Sequence, residues 1–179
     1  RQGCSEEVIL TGAPGQDREM ASAVLALLVP ELPVSVWLLG APGAAGALRD
    51  RIVSDADRVL LDTAREERAV EGLASALNLI EEHGVTCGDL AWERSAAWRG
   101  LVAQLFDGPD GARELELLRS IEIHGGADQT SSDALLLAGW LIARLGLAPA
   151  DVTVADSTVT ATMYDGTREV RIVVAPSDD

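Results

Sequence analysis

A chain of 179 residues with 47 % hydrophobic and 24 % charged side chains has the makeup of a globular protein of one ordinary domain. Its formal charge of −15 is evenly spread, with 15 acids against 7 Arg in residues 1–90 and 14 against 7 in residues 91–179, so no basic patch suits nucleic acid or an anionic membrane. Every basic residue is Arg, which removes Schiff-base and Walker-type lysine chemistry, and two cysteines, Cys4 and Cys87, are too few for a disulfide framework.

In chain order, Glu7–Thr11 is a short apolar run that suits a strand. Asp17 is placed to cap a helix carrying Met20, Val24, Leu27 and Leu28, stopped by Pro30. Val34–Leu39, continuously apolar around Trp37, fits a strand covered on both faces. The Gly40–Gly43 turn opens a second helix with Leu48 and Ile52 on one side, and Arg58–Asp62 reads as a third strand. Thr63 and Glu66 have capping-box spacing for a helix whose apolar stripe is Val70, Leu73, Ala74, Leu77 and Ile80, ending at His83-Gly84. Three strand–helix units joined by short turns predict a parallel, helix-covered sheet.

Beyond Gly108-Pro109-Asp110-Gly111, a short helix near Ala112–Leu117 leads into a strand at Ser120–His124. Thr130–Asp133 caps a helix to about Leu145, apolar on nearly all sides, with Gly146 just past its end. Gly139 inside it costs helix stability, for which close approach by a backbone or a large ring is the expected compensation. Val152–Ala155, Val159–Tyr164 and Glu169–Val174 then read as antiparallel strands, with a hairpin at Asp165-Gly166 and a dry face at Val159, Ala161 and Met163. The expected organisation is an α/β domain over residues 1–148, with a mainly parallel sheet, and a small antiparallel extension over 149–179 packed on the same domain. The longest apolar run, Ala134–Ala143, is too short to span a bilayer and no signal segment opens the chain, so a cytoplasmic protein is expected. The lack of an initial Met leads to the expectation of a preceding segment.

Catalytic patterns are hard to find. Gly40, Gly43 and Gly46 follow a strand and precede Asp62, the layout of a dinucleotide site, but their spacing is G-x-x-G-x-x-G, and Pro42 removes an amide from the turn. A small-molecule or nucleotide site on the Gly40–Gly46 turn is therefore the rival reading. His83 and His124 have no partners at metal-ligand spacing. Ser131, His124 and Asp128 lack the Gly-x-Ser-x-Gly elbow that would expose a nucleophile. No cofactor, metal or catalytic residue is expected.

Recognition is better supported. Three of the six aromatic residues fall between Asp89 and Asp107, and an Arg follows each Trp there: Arg94 after Trp92, Arg99 after Trp98. Trp98, Val102, Leu105 and Phe106 recur at helical spacing, whereas Asp89–Ser95 has no period and is expected as an ordered loop. Trp and Arg are the residue types most enriched at the energetic centres of protein interfaces.

Asp89-Leu90-Ala91-Trp92, Arg94, Trp98-Arg99 and Ala103–Asp107 resemble the signature segment of the glucose-6-phosphate dehydrogenase assembly protein OpcA family. Glu7-Val8, Val29–Val34 leading to Trp37, and Leu137–Leu141 followed by Arg144-Leu145-Gly146 reinforce it, so the resemblance covers roughly Cys4 to Gly146. Where the family usually places a Leu-Thr-Pro step, this chain has Ser95-Ala96-Ala97, and its helix is expected to start earlier. The resemblance implies a non-catalytic protein that binds glucose-6-phosphate dehydrogenase and promotes its assembly into the active oligomer, or stabilises that oligomer allosterically, in the oxidative pentose phosphate pathway. Trp92, Arg94, Trp98 and Arg99 are the expected partner-binding residues.

Overall fold

The computed structural model describes residues 7–43, 46–127 and 130–177, which form an α/β arrangement of two sheets. The first sheet is wholly parallel: β1 (Ser35–Trp37), β2 (Arg58–Leu61) and β3 (Thr86–Asp89), in the order β1-β2-β3. Val59 and Leu61 on central β2 are fully buried, and Val59 packs with Val53, Leu79 and Val85 of the flanking segments. Helices α1 (Asp17–Leu27) and α2 (Ala47–Val53) pack mainly on each other. A 3-10 turn (Thr63–Arg65) follows β2 and leads to α3 (Ala69–His83), which ends at Gly84 with φ +64°.

Several expectations change here. Glu7–Thr11 forms no strand and lies exposed, and the start of α1 is Asp17 itself, with Gln16 at the cap. Only Ser35–Trp37 of the second run is strand, and it is a sheet edge: Trp37 is 60 % exposed, so this strand is not covered on both faces. β3 has no apolar alternation to announce it; a Cβ at Gly88 would lie 2.8 Å from Leu60 Cδ2, so a larger residue there requires that side chain to shift. Thr63 and Glu66 do not form a capping box. Asp62 caps the 3-10 turn, and Glu66 accepts a hydrogen bond from the Gly43 amide. Much of the stripe read on α3 points outward, with Val70 and Leu77 exposed. Ala69, Gly72, Ala76 and Leu79 face inward, because a small residue at 72 lets the helix approach the Thr63 carbonyl, which an added Cβ would meet at 2.6 Å.

The second sheet is mixed, in the order β4-β7-β6-β5, from β4 (Ser120–His124), β5 (Ala148–Ala155), β6 (Thr158–Tyr164) and β7 (Glu169–Ala175). β4 pairs with β7 in parallel, and β5-β6-β7 form an antiparallel meander, so β4 joins the strands of residues 149–179 in one sheet. Asp156 and Ser157 both adopt positive φ in the β5–β6 turn, as tight hairpins require. In the β6–β7 turn Asp165 Oδ1 accepts from the Thr167 and Arg168 amides and Gly166 has φ +93°. Ala161 and Met163 lie on the dry face as expected and join Val170, Ile172 and Val174 under α7 (Ser132–Arg144).

Ser131 caps α7 by accepting from the Ala134 amide, and Gly146 terminates it with φ +64°. Gly139 does not receive the close approach expected of it: a Cβ there would meet nothing within 4 Å. Gly139→Ala should therefore raise stability by about 1 kcal/mol, the ordinary helix-propensity gain, read as an upward shift in the urea midpoint.

Candidate functional site

Asp89–Ser95 is not a loop. The Asp89 carboxylate accepts from the Ala91 amide and starts α4 (Leu90–Arg94); five residues are too few to display a helical period. α5 (Ala96–Leu105) begins directly after Ser95, in keeping with the absence of a Pro there, and α6 (Gly111–Leu117) follows.

The four predicted residues divide into two roles. Trp92, half-buried, is braced by Arg99, whose guanidinium lies 3.5 Å from the ring centroid and donates to the Trp92 carbonyl at 2.7 Å. Buried Ser95 ties the α4–α5 corner by donating to the same carbonyl and accepting from Arg99. Arg94 reaches away to Asp62 with two donors, at 2.8 and 3.2 Å, and lies 3.7 Å from Asp133. Trp98 is 64 % exposed on α5, a helix with no buried residue. Trp92, Arg99 and Arg94 are thus held in place by the fold, while the Trp98 indole is presented to solvent.

Beneath the segment lies a polar junction. Thr63, fully buried, donates from its amide and its hydroxyl to the two oxygens of Asp89, at 3.1 and 2.7 Å, and its carbonyl accepts from Ser132 Oγ at 3.1 Å. β2, β3 and α7 meet at this one threonine. The sequence places Asp62 in the layout of a dinucleotide site, Thr63 in a capping box and Ser132 in a helix-capping stretch, and joins none of them to Asp89; bonds spanning 26 and 69 residues leave no local spacing to read.

The hydrogen bond from Arg94 holds the Asp62 carboxyl below its usual value of 3.8, against a smaller opposing effect of burial. A depressed folded value means that this contribution is complete above about pH 4 and is lost as pH falls through the lowered value. Acid titration of stability should show a loss of about 1 kcal/mol that is missing in Asp62→Asn, a size set by the solvent at Arg94. Burial pushes Asp133 up against the opposing charge of Arg94, with Asp62 and Asp89 adding smaller upward effects, and burial followed by the Asp89 charge raises the Cys87 thiol. Cys4 and Asp128 lie outside the described residues. His124 sits on β4 with Nδ1 3.3 Å from the Pro176 carbonyl, and Ser131 serves as a helix cap.

At the Gly40–Gly46 turn, the Gly43 amide is taken by the Glu66 carboxylate and the Pro42 carbonyl by Arg49. An acidic side chain occupies the direction a phosphate would need. Residues 44 and 45 of that turn lie outside the described residues. Among the described residues no group of three or more His, Cys, Asp or Glu is placed to hold a metal, and no helix is long and apolar enough to cross a membrane.

Two family profiles of OpcA, the glucose-6-phosphate dehydrogenase subunit, match the chain: that of its C-terminal domain over residues 85–178 and that of its N-terminal domain over residues 1–78. The chain belongs to the OpcA family. It is 28 % identical over 149 residues to a putative OxPP cycle protein OpcA of a Synechocystis species, and 29 % and 30 % identical over the same length to proteins of that description from Nostoc punctiforme and Synechococcus elongatus. Each match covers 82 % of this chain and 30, 31 and 32 % of the respective relative, so the chain spans about a third of the length of these OpcA proteins. Trp92, Arg94, Trp98 and Arg99 lie in the C-terminal OpcA profile and Asp62 in the N-terminal one; the Arg94–Asp62 pair joins the two.

Proposed function

We propose that this chain acts, without catalysis of its own, as a binding partner of glucose-6-phosphate dehydrogenase that favours the enzyme's active oligomer. The observation that carries the reading is the solvent-facing Trp98 ring on a helix whose neighbours Trp92, Arg94 and Arg99 are fixed by internal contacts. A rigid, amphipathic ring loses little conformational freedom on binding, which makes it an efficient contact. Activation requires tighter binding to one state of the enzyme than to the other, since equal affinity for both shifts nothing.

Family membership supports the choice of enzyme, and the net charge of −15 suits a partner surface bearing cations. Mixing the chain with the dehydrogenase of its own organism should give co-elution, a larger sedimenting species, and a changed substrate dependence of the rate. Separate elution together with an unaltered rate curve would overturn the proposal.

A further inference from the structure

Along one side of sheet 2 runs a trough of about 630 Å³ between α5, α6, α7 and β4. Its walls are apolar, with Val102 and Phe106 on the α5 side, Leu137 and Leu141 on α7, and Trp98 also bordering it. Residues 120–125, the whole of β4 and the residue after it, line the third side.

β4 is a sheet edge, paired among the described strands only with β7. The Arg119 carbonyl accepts from Arg171 of β7 and the Gly125 amide donates to Ala175 of β7, so odd-numbered residues direct their backbone groups at β7. Backbone groups alternate sides along a strand, so Ser120, Glu122 and His124 turn N–H and C=O away from β7, toward the open edge. Apolar walls next to a row of unpaired backbone groups pose a specific demand on any occupant. A helix seated there would cover the edge and leave those groups without partners in a dry contact, which is costly. An extended segment satisfies both features: its backbone completes the ladder and alternate side chains enter the trough.

Charge narrows the occupant further. Among the described residues, Glu122 and Asp133 are the carboxylates lining the trough, and no Arg lines it. Asp133 Oδ1 is buried without a hydrogen-bond partner among the described residues, its nearest cation being Arg94 at 3.7 Å, beyond hydrogen-bond reach. We propose that the β4 edge and its trough take up an extended segment of the partner dehydrogenase as a fifth strand of sheet 2, with alternate apolar side chains and an Arg or Lys to meet Glu122 or Asp133. This rests on the reading of the chain as a dehydrogenase-binding protein.

The test is amide hydrogen exchange on the full chain with and without the dehydrogenase, alongside calorimetric titration. The amides of Glu122 and His124 should exchange at least tenfold more slowly in the complex. Glu122→Pro removes an outward N–H that no described strand of this fold uses, a substitution that edge strands tolerate, and should weaken binding at least tenfold; Glu122→Arg should weaken it through charge. Binding by the wild type with unchanged exchange at 122 and 124 overturns this inference and leaves the proposed function standing. A folded Glu122→Pro chain that binds as tightly as wild type does the same. If Glu122→Pro fails to fold, the wild-type exchange decides alone. No binding by the wild type at all overturns both.

Discussion

Trp98→Ala should weaken binding to the dehydrogenase by roughly 30-fold, about 2 kcal/mol, with the urea midpoint of the isolated chain essentially unchanged. The separation of the two effects follows from position. Trp98 is 64 % exposed on a helix without buried residues, so the fold does not depend on its ring. Trp92→Ala should behave differently, because it removes the half-buried ring on which the Arg99 guanidinium lies at the α4–α5 corner; binding and stability should fall together. Calorimetry of both variants beside urea titrations separates the cases. Wild-type affinity in a folded Trp98→Ala chain would remove this ring from the contact surface.

Asp89→Ala is expected to give the largest loss of stability, about 3 kcal/mol. One carboxylate accepts from the Thr63 amide, the Thr63 hydroxyl and the Ala91 amide, so its removal strands two donors on a fully buried threonine and uncaps α4. Hydrogen bonds to charged groups contribute about 1.5–3 kcal/mol, and a lost cap about 1 kcal/mol; these are not additive when one side chain supplies all of them. Asp89→Asn keeps one acceptor oxygen and should lose about half as much. Chemical denaturation measures both, and an alanine variant within about 0.5 kcal/mol of wild type, the range of ordinary surface changes, would show the junction to be unimportant.

Elements with strong punctuation were legible from the chain. Thr130–Asp133 with Gly146 bracketed α7, His83-Gly84 closed α3, and the alternation of Ser120–His124 and of residues 159–164 gave β4 and β6. The misreadings share a cause: tertiary packing of small or polar residues outweighed local apolar pattern. Parallel pairing with β2 makes β3 without an apolar run, and Gly72 against the Thr63 carbonyl turns much of the apolar stripe of α3 to solvent. Glu7–Thr11 has strand composition but no strand partner among the described residues, and composition cannot supply one. At the site, the Trp/Arg cluster was visible as a local enrichment. Its division into a braced Trp92 and a presented Trp98 was not, because that depends on which side of the Ser95 corner each ring falls.

The place where the two family profiles meet, between residues 78 and 85, is not a seam in the molecule. β2 on one side of it is hydrogen-bonded in register to β3 on the other, Thr63 is held by Asp89 and Ser132, and Asp62 by Arg94. The two stretches matched by separate family profiles should therefore unfold in one calorimetric transition rather than two. Arg94 carries this lattice from Asp62 to the end of α4, directly before the corner from which α5 presents the Trp98 indole.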